Sequence, residues 1–208
     1  MDTDGTDEFA AKNLQKGDLM PLPKENRFTF ADVLTWDEQE RIELIKGQLV
    51  MMAPPARVHQ KISGELYTQL HEYLRGKKCE VYAAPFAVRL FERDSDRSEN
   101  VDTMVEPDIS VICDPGKLDH IGCKGAPDLI IEILSPSTLG HDRVTKFNLY
   151  PRAGVKEYWI VDPAARTAQS FVLENGYYIA KDLGTAKDTL RVNVLGDCAI
   201  DLSLIFSE

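Results

Sequence analysis

Two carboxylates of this chain sit in apolar surroundings that disfavour an acid. Asp108 opens the run Ile109-Ser110-Val111-Ile112, and Glu132 lies inside Leu129-Ile130-Ile131-Glu132-Ile133-Leu134. Short apolar runs bounded by turn residues predict buried strands. A lone carboxylate in such a strand loses its hydration, which costs several kcal/mol unless the group is paired or bound to a metal. Two acids on neighbouring strands have the hard oxygen ligands that hold a divalent cation. Lys146 follows on a predicted helix and can bring a positive charge to the same place.

The elements that must position these groups are legible in order. Thr29 is a predicted cap for a short helix over residues 30–34. Residues 41–45 and 48–52 read as two strands joined by a hairpin turn at Lys46-Gly47, where glycine supplies a positive φ. Val58, Ile62, Leu66, Leu70 and Leu74 recur at helical spacing, so residues 56–75 form an amphipathic helix that Gly76 ends. Residues 80–90 are β-like, with Pro85 marking an irregularity or an edge. Residues 91–102 are charged and loop-like. Residues 109–113 and 129–134 are the two acid-bearing strands, with an irregular segment between them. A helix covers 139–153, a strand 158–161, a hairpin 169–173 and 177–180, and a last short strand 190–194. Asp142, Lys146 and Tyr150 are spaced i, i+4, i+8 and share one helix face. A surface ion pair between Asp142 and Lys146 is the simpler use of that spacing.

Composition sets bounds. A chain of 208 residues, 43% hydrophobic, suits one domain with a real core over residues 28–208, preceded by a flexible acidic arm over 1–27. No apolar run approaches the ~20 residues that cross a bilayer, and the amino terminus lacks the order of a signal peptide, so a cytoplasmic, non-membrane protein is expected. Cys79, Cys113, Cys123 and Cys198 show no CxxC spacing, and four buried free thiols are expected. The net charge is −10, from 24 basic and 34 acidic residues. That balance speaks against broad, non-specific duplex binding but leaves room for a local basic groove and a metal.

The ordered set Glu43-Leu44-Ile45-Lys46-Gly47, Ala53-Pro54-Pro55 with His59, Val105-Glu106-Pro107-Asp108, Glu132-Ile133-Leu134-Ser135-Pro136-Ser137, Asp142 to Lys146, and Ala153-Gly154-Val155-Lys156-Glu157-Tyr158-Trp159-Ile160-Val161-Asp162-Pro163 resembles the Uma2-like (DUF820) endonucleases of the PD-(D/E)XK nuclease superfamily. The resemblance covers roughly residues 30–178. It implies an α/β fold with a restriction-endonuclease-like core, a mixed β-sheet with flanking helices. It also implies a Mg²⁺- or Mn²⁺-dependent endodeoxyribonuclease acting on DNA; cleavage of both strands of a duplex would suit a two-fold dimer, and the sequence leaves the oligomeric state open. Asp108 and Glu132 would be metal ligands, joined by the backbone carbonyl of Ile133. Glu43 would add an acid from an early element. The superfamily lysine belongs two residues after the acid, where Leu134 stands, and Lys146 is the migrated substitute.

Other residues admit plainer uses. His59 could contact phosphate or the metal's water shell, though a lone histidine is more often structural, and Glu65 is a weaker candidate on the same helix. Ser135 and Ser137 lack a Gly-x-Ser-x-Gly elbow and read as a turn and helix cap. Tyr158 and Trp159 read as core or interface aromatics. Opposed to the enzyme stands a catalytically inactive nuclease-fold module that binds DNA or protein.

Overall fold

The computed structural model describes residues 27–36, 41–93, 95–135 and 140–207, without the side chains of 141–143. The flexible arm expected over 1–27 lies outside the described residues except for Arg27. The chain begins with the single-turn helix α1 (Phe30–Val33) and the hairpin β1 (Ile42–Ile45) and β2 (Gln48–Met51). Thr29 and Asp32 close a reciprocal capping box at α1. Lys46 and Gly47 both have positive φ, as a two-residue hairpin turn requires, and a Cβ at Gly47 would also meet Arg27 at 2.9 Å.

Helix α2 (Arg57–Leu74) follows, then β3 (Glu80–Ala83), β4 (Ala87–Arg89), β5 (Ile109–Ile112), β6 (Gly122–Lys124) and β7 (Leu129–Ile133). Pro85 breaks the predicted 80–90 strand into β3 and β4. A π-helical segment (His141–Lys146) runs directly into α3 (Phe147–Ala153), followed by β8 (Glu157–Asp162), β9 (Thr167–Glu174) and β10 (Tyr177–Thr185). The chain ends with β11 (Thr189–Arg191), β12 (Ala199–Asp201) and α4 (Leu202–Ile205). The sequence pattern places the last strand at 190–194, but residues 193–195 are a 3₁₀ turn and the chain returns as β12.

Six strands form the central sheet in the order β10-β9-β8-β7-β5-β3. All neighbours are antiparallel except β7 and β8, whose crossover is the π-segment with α3. The sheet is therefore mixed, as expected. Side chains alternate across a strand, and the core divides accordingly. Leu129, Ile131 and Ile133 pack with Ile62, Leu66 and Leu70 of α2, while Ile130 and Leu134 pack with Leu149 and Tyr150 of α3. Glu132 shares its parity with Ile130 and Leu134, so β7 aims its acid at the α3 face. A third cluster joins α1 to the β1-β2 hairpin through Phe30, Leu44, Leu49 and Met104.

One expectation fails. Cys79 and Cys113 form a disulfide, and Cys123 and Cys198 are the free, buried cysteines. The sequence separation of 34 between Cys79 and Cys113 hides the pairing in the sequence. The β3–β5 register pairs Glu80 with Ile112, so the residues one step further out, 79 and 113, face each other.

Candidate active site

Glu43 enters from β1. Ile42 and Leu44 belong to the third cluster, so Glu43 and Ile45 point the other way, toward the main sheet. Its carboxylate is fully buried, accepts the Glu106 backbone N–H at 3.0 Å and lies 2.9 Å from Lys146 Nζ. Glu132 is almost as deep. Its Oε1 accepts from Lys146 Nζ at 3.0 Å and from the Tyr150 hydroxyl at 2.5 Å.

Lys146 has no solvent exposure. The plainer alternative, a surface pair with Asp142, does not describe it: its charge serves two buried carboxylates on two different strands. The helix face shared by Lys146 and Tyr150 carries both to Glu132, while the Asp142 side chain lies outside the described residues. Gly154, in the left-handed conformation at the end of α3, donates its backbone N–H to the Tyr150 carbonyl and turns the chain into β8. Burial first, then the Glu132 and Glu43 carboxylates, hold the Tyr150 phenol well above the ordinary tyrosine value, so it remains a donor.

Asp108 lies one step beyond the last β5–β7 pair, Ile109 with Ile131, which puts it in register with Glu132. Where the ladder stops, the Asp108 carboxylate takes over. Its Oδ2 accepts the Ile133 N–H at 2.7 Å and lies 3.1 Å from His59 Nε2. The residue that follows β3 meets Asp108 as well, Ala84 donating its N–H to the Asp108 carbonyl at 3.1 Å. Asp108 and His59 face a cleft of about 180 Å³. His59 also borders a larger, mostly apolar cleft of about 380 Å³ with Leu134, Ser135 and Pro163.

The predicted residues thus gather as two adjoining sets. Glu43, Glu132, Lys146 and Tyr150 form the buried one, and Asp108, His59 and the Ile133 N–H form the one at the cleft. The adjacent positions Glu132 and Ile133 join them on one side, and Glu106, whose N–H holds Glu43, joins them on the other. Glu106 also receives Arg41 Nε at 3.0 Å. Burial raises the Glu106 carboxyl above its ordinary value, and the Arg41 guanidinium opposes that shift. Among the described residues, Glu65 makes no hydrogen bond or ion pair with either set. Ser137 lies outside the described residues. Tyr158 and Trp159 are fully buried in the two sheet faces, as expected of core aromatics. Sequence reasoning missed Tyr150 as a partner of Glu132 and Arg41 as a cleft residue. The spacing of 146 and 150 was the available signal for the first, and nothing local marked the second.

The donor chemistry suits a hard cation. Asp108 and Glu132 are carboxylates on neighbouring strands, and magnesium is commonly held by one or two carboxylates with water and substrate phosphate completing its shell. Among the described residues no three His, Cys, Asp or Glu side chains cluster as a metal cage, so an ion held here would rely on those other oxygens.

Residues 30–203 match a family model, Uma2, described as "Putative restriction endonuclease". The chain belongs to the Uma2 family. Among relatives, the uncharacterized protein slr1290 of Synechocystis sp. is 32% identical over 132 residues, 62% of this chain and 64% of that protein. The match thus spans just under two thirds of that relative's length. The uncharacterized protein sll1609 of the same organism is 26% identical over 69% of this chain and 80% of its own. A crystal structure described as a putative nuclease belonging to DUF820, from Anabaena variabilis, superposes with a TM-score of 0.67 at 18% identity, over 86% of this chain and 98% of that one. At that identity it is the fold that is shared. The Uma2 chain therefore has a restriction-endonuclease-like core.

Proposed function

We propose that this protein is a divalent-metal-dependent endonuclease that hydrolyses phosphodiester bonds of DNA, and that its 28–208 region carries the activity. The observation that carries the reading is the register: β5 and β7 bring Asp108 level with Glu132, and Glu132 is joined by an ammonium group from the following helix. Asp108 and Glu132, with the Ile133 carbonyl, would hold Mg²⁺ or Mn²⁺. Such an ion lowers the pKa of a coordinated water and polarises the phosphoryl oxygen.

The other groups position and compensate. His59 and the Ile133 N–H fix the Asp108 carboxylate, as partners of ligating carboxylates do. Tyr150 and Lys146 orient Glu132, and Glu43 shares the Lys146 charge. Lys146 adds positive charge where charge develops on the phosphate. The reading keeps the protein in the cytoplasm. If both strands of a duplex are cut, a two-fold dimer supplies the second site.

A second reading, an inactive module that kept the fold to bind DNA or protein, is favoured by one observation: Glu132 Oε1 already carries both Lys146 and Tyr150. Cleavage of supercoiled plasmid with Mg²⁺ or Mn²⁺ separates the two. The endonuclease reading expects nicking by the wild type and none above background by Asp108→Ala or Glu132→Ala. Equal nicking by all three proteins, or by none, overturns it.

A further inference from the structure

A trench leads away from Asp108 along α2. The cleft beside Asp108 takes Gln60, Ser63, Gly64 and Tyr67 from that helix. A hollow of about 790 Å³ begins at the same Tyr67 and at Ala83, and continues past His71 to Arg75 and Lys77. Positions 60, 63, 64, 67, 71, 74 and 75 recur every three or four residues, so they form one stripe on one helix face. The opposite wall is β3, the outermost strand of the sheet on that side. An outermost strand presents peptide groups that no ladder uses.

The chemistry along this trench alternates. Arg75-Gly76-Lys77-Lys78 places three cations in four residues at the far end, in a chain of net charge −10. Among the described residues lining the larger hollow, the one acid is Glu80, and it accepts the Tyr82 hydroxyl at 2.6 Å. Between the cations lie aromatic rings held by their neighbours: Tyr67 stacks on His71 at 5.6 Å and Tyr82 on Phe86 at 4.2 Å. At the Asp108 end, Arg41 lines the cleft and keeps one terminal guanidinium nitrogen buried with no hydrogen-bond partner.

Cations spaced along a groove with rings between them hold a single nucleic-acid strand, phosphates on the cations and unpaired bases on the rings. In a duplex the bases are already stacked on one another, out of reach of rings in a groove wall. A peptide strand added to β3 would need its backbone alone and no line of positive charge. We propose that the trench between α2 and β3 is the path of a single DNA strand whose phosphate enters the Asp108 cleft. Arg41, Arg75 and Lys77 grip its backbone, and Tyr67 and Tyr82 stack its bases. The identity of the Asp108 cleft as the reacting end rests on the nuclease reading, while the binding itself needs no catalysis.

The test is fluorescence anisotropy of labelled oligothymidine with the full chain in EDTA, so that nothing is cut. Arg75→Ala/Lys77→Ala should weaken binding about tenfold and flatten the slope of log K against log salt by about 1.4, from two contacts at roughly 0.7 each. Tyr67→Ala should weaken binding about tenfold with the slope unchanged, and Tyr67→Phe, which keeps the ring, should restore it. A duplex of the same length should bind more weakly and ignore Tyr67→Ala. Unchanged affinity in the double variant, or an equal Tyr67→Ala loss for strand and duplex, overturns the proposal, as does a double variant that loses self-association instead of DNA binding. Plasmid nicking that survives alongside such a failure would sink the trench and leave the nuclease reading standing. Strand binding that depends on these residues in a protein that nicks nothing would do the reverse.

Discussion

Glu132 and Glu157 show what a residue pattern can and cannot say about chemistry. Both are acids buried in β runs, but only Glu132 stands out in the sequence, inside an apolar run, whereas Glu157 merely opens one. Glu157 is spent on structure: its carboxylate accepts from Trp159 Nε1 at 2.7 Å, Asn193 Nδ2 at 3.1 Å and the Val194 N–H at 2.8 Å, which fastens the carboxy-terminal segment to the sheet. Glu132 instead meets an ammonium group and a phenol beside a cleft-facing aspartate. Asp108, Glu132 and Lys146 were therefore legible as residues of interest, while their partners were set by tertiary contact and were not. Two outcomes follow at this scale. Lys146→Met leaves Glu43 and Glu132 without that cation and should destabilise the protein by about 3–5 kcal/mol in urea unfolding. Mn²⁺ should recover part of the loss if the site takes a divalent ion, and an equal midpoint with and without Mn²⁺ would contradict this. Tyr150→Phe removes a buried donor to a carboxylate and should cost about 1.5–3 kcal/mol in the same measurement.

At the level of elements, periodicity placed α2, the β1-β2 hairpin, β5, β7 and the β9-β10 hairpin close to where they stand, because each is governed by local alternation or by a turn. What it missed depends on distant pairing. The helix over 139–153 has no sequence mark for its π-helical start, a form that often accompanies functional sites. β12 and α4 are short and settle against β11 and α2, so their pattern is weak. The disulfide follows from strand register alone. Under denaturing, non-reducing conditions a thiol titration should count two cysteines, and four after reduction, whereas four before reduction would contradict the bridge. A bridge across 34 residues is worth roughly 3–4 kcal/mol by loop-closure entropy, so reduction should lower the thermal midpoint measurably.

For the whole molecule, the sheet divides two jobs between its faces. The α2 face is largely apolar and stabilising, interrupted by His59 at the amino-terminal end of α2 and by the buried Glu157 carboxylate under Trp159, and the α3 face carries the Glu132–Lys146 pair. Composition foresaw a core of this size but not that arrangement. Burial also gives the molecule an alkaline limit. The Cys123 thiol is pushed from 9.0 up to about 12 by desolvation, and the Tyr82 phenol from 10.0 to about 12 by desolvation and by Glu80. An unfolded chain sheds the Cys123 proton near pH 9 while the folded chain keeps it, so stability is complete below that pH and falls as pH rises toward about 12. Cys123→Ala should flatten that decline in unfolding curves taken between neutral and alkaline pH, and an unchanged slope would contradict it.

The central claim is that Asp108 and Glu132 together grip a divalent cation. Isothermal titration of Mn²⁺ into the full chain tests it without any assumption about substrate. The wild type should bind saturably, and Asp108→Ala and Glu132→Ala should each lose that binding while retaining a cooperative unfolding transition. Wild-type protein that takes up no Mn²⁺, or variants that bind it as the wild type does, would contradict the account.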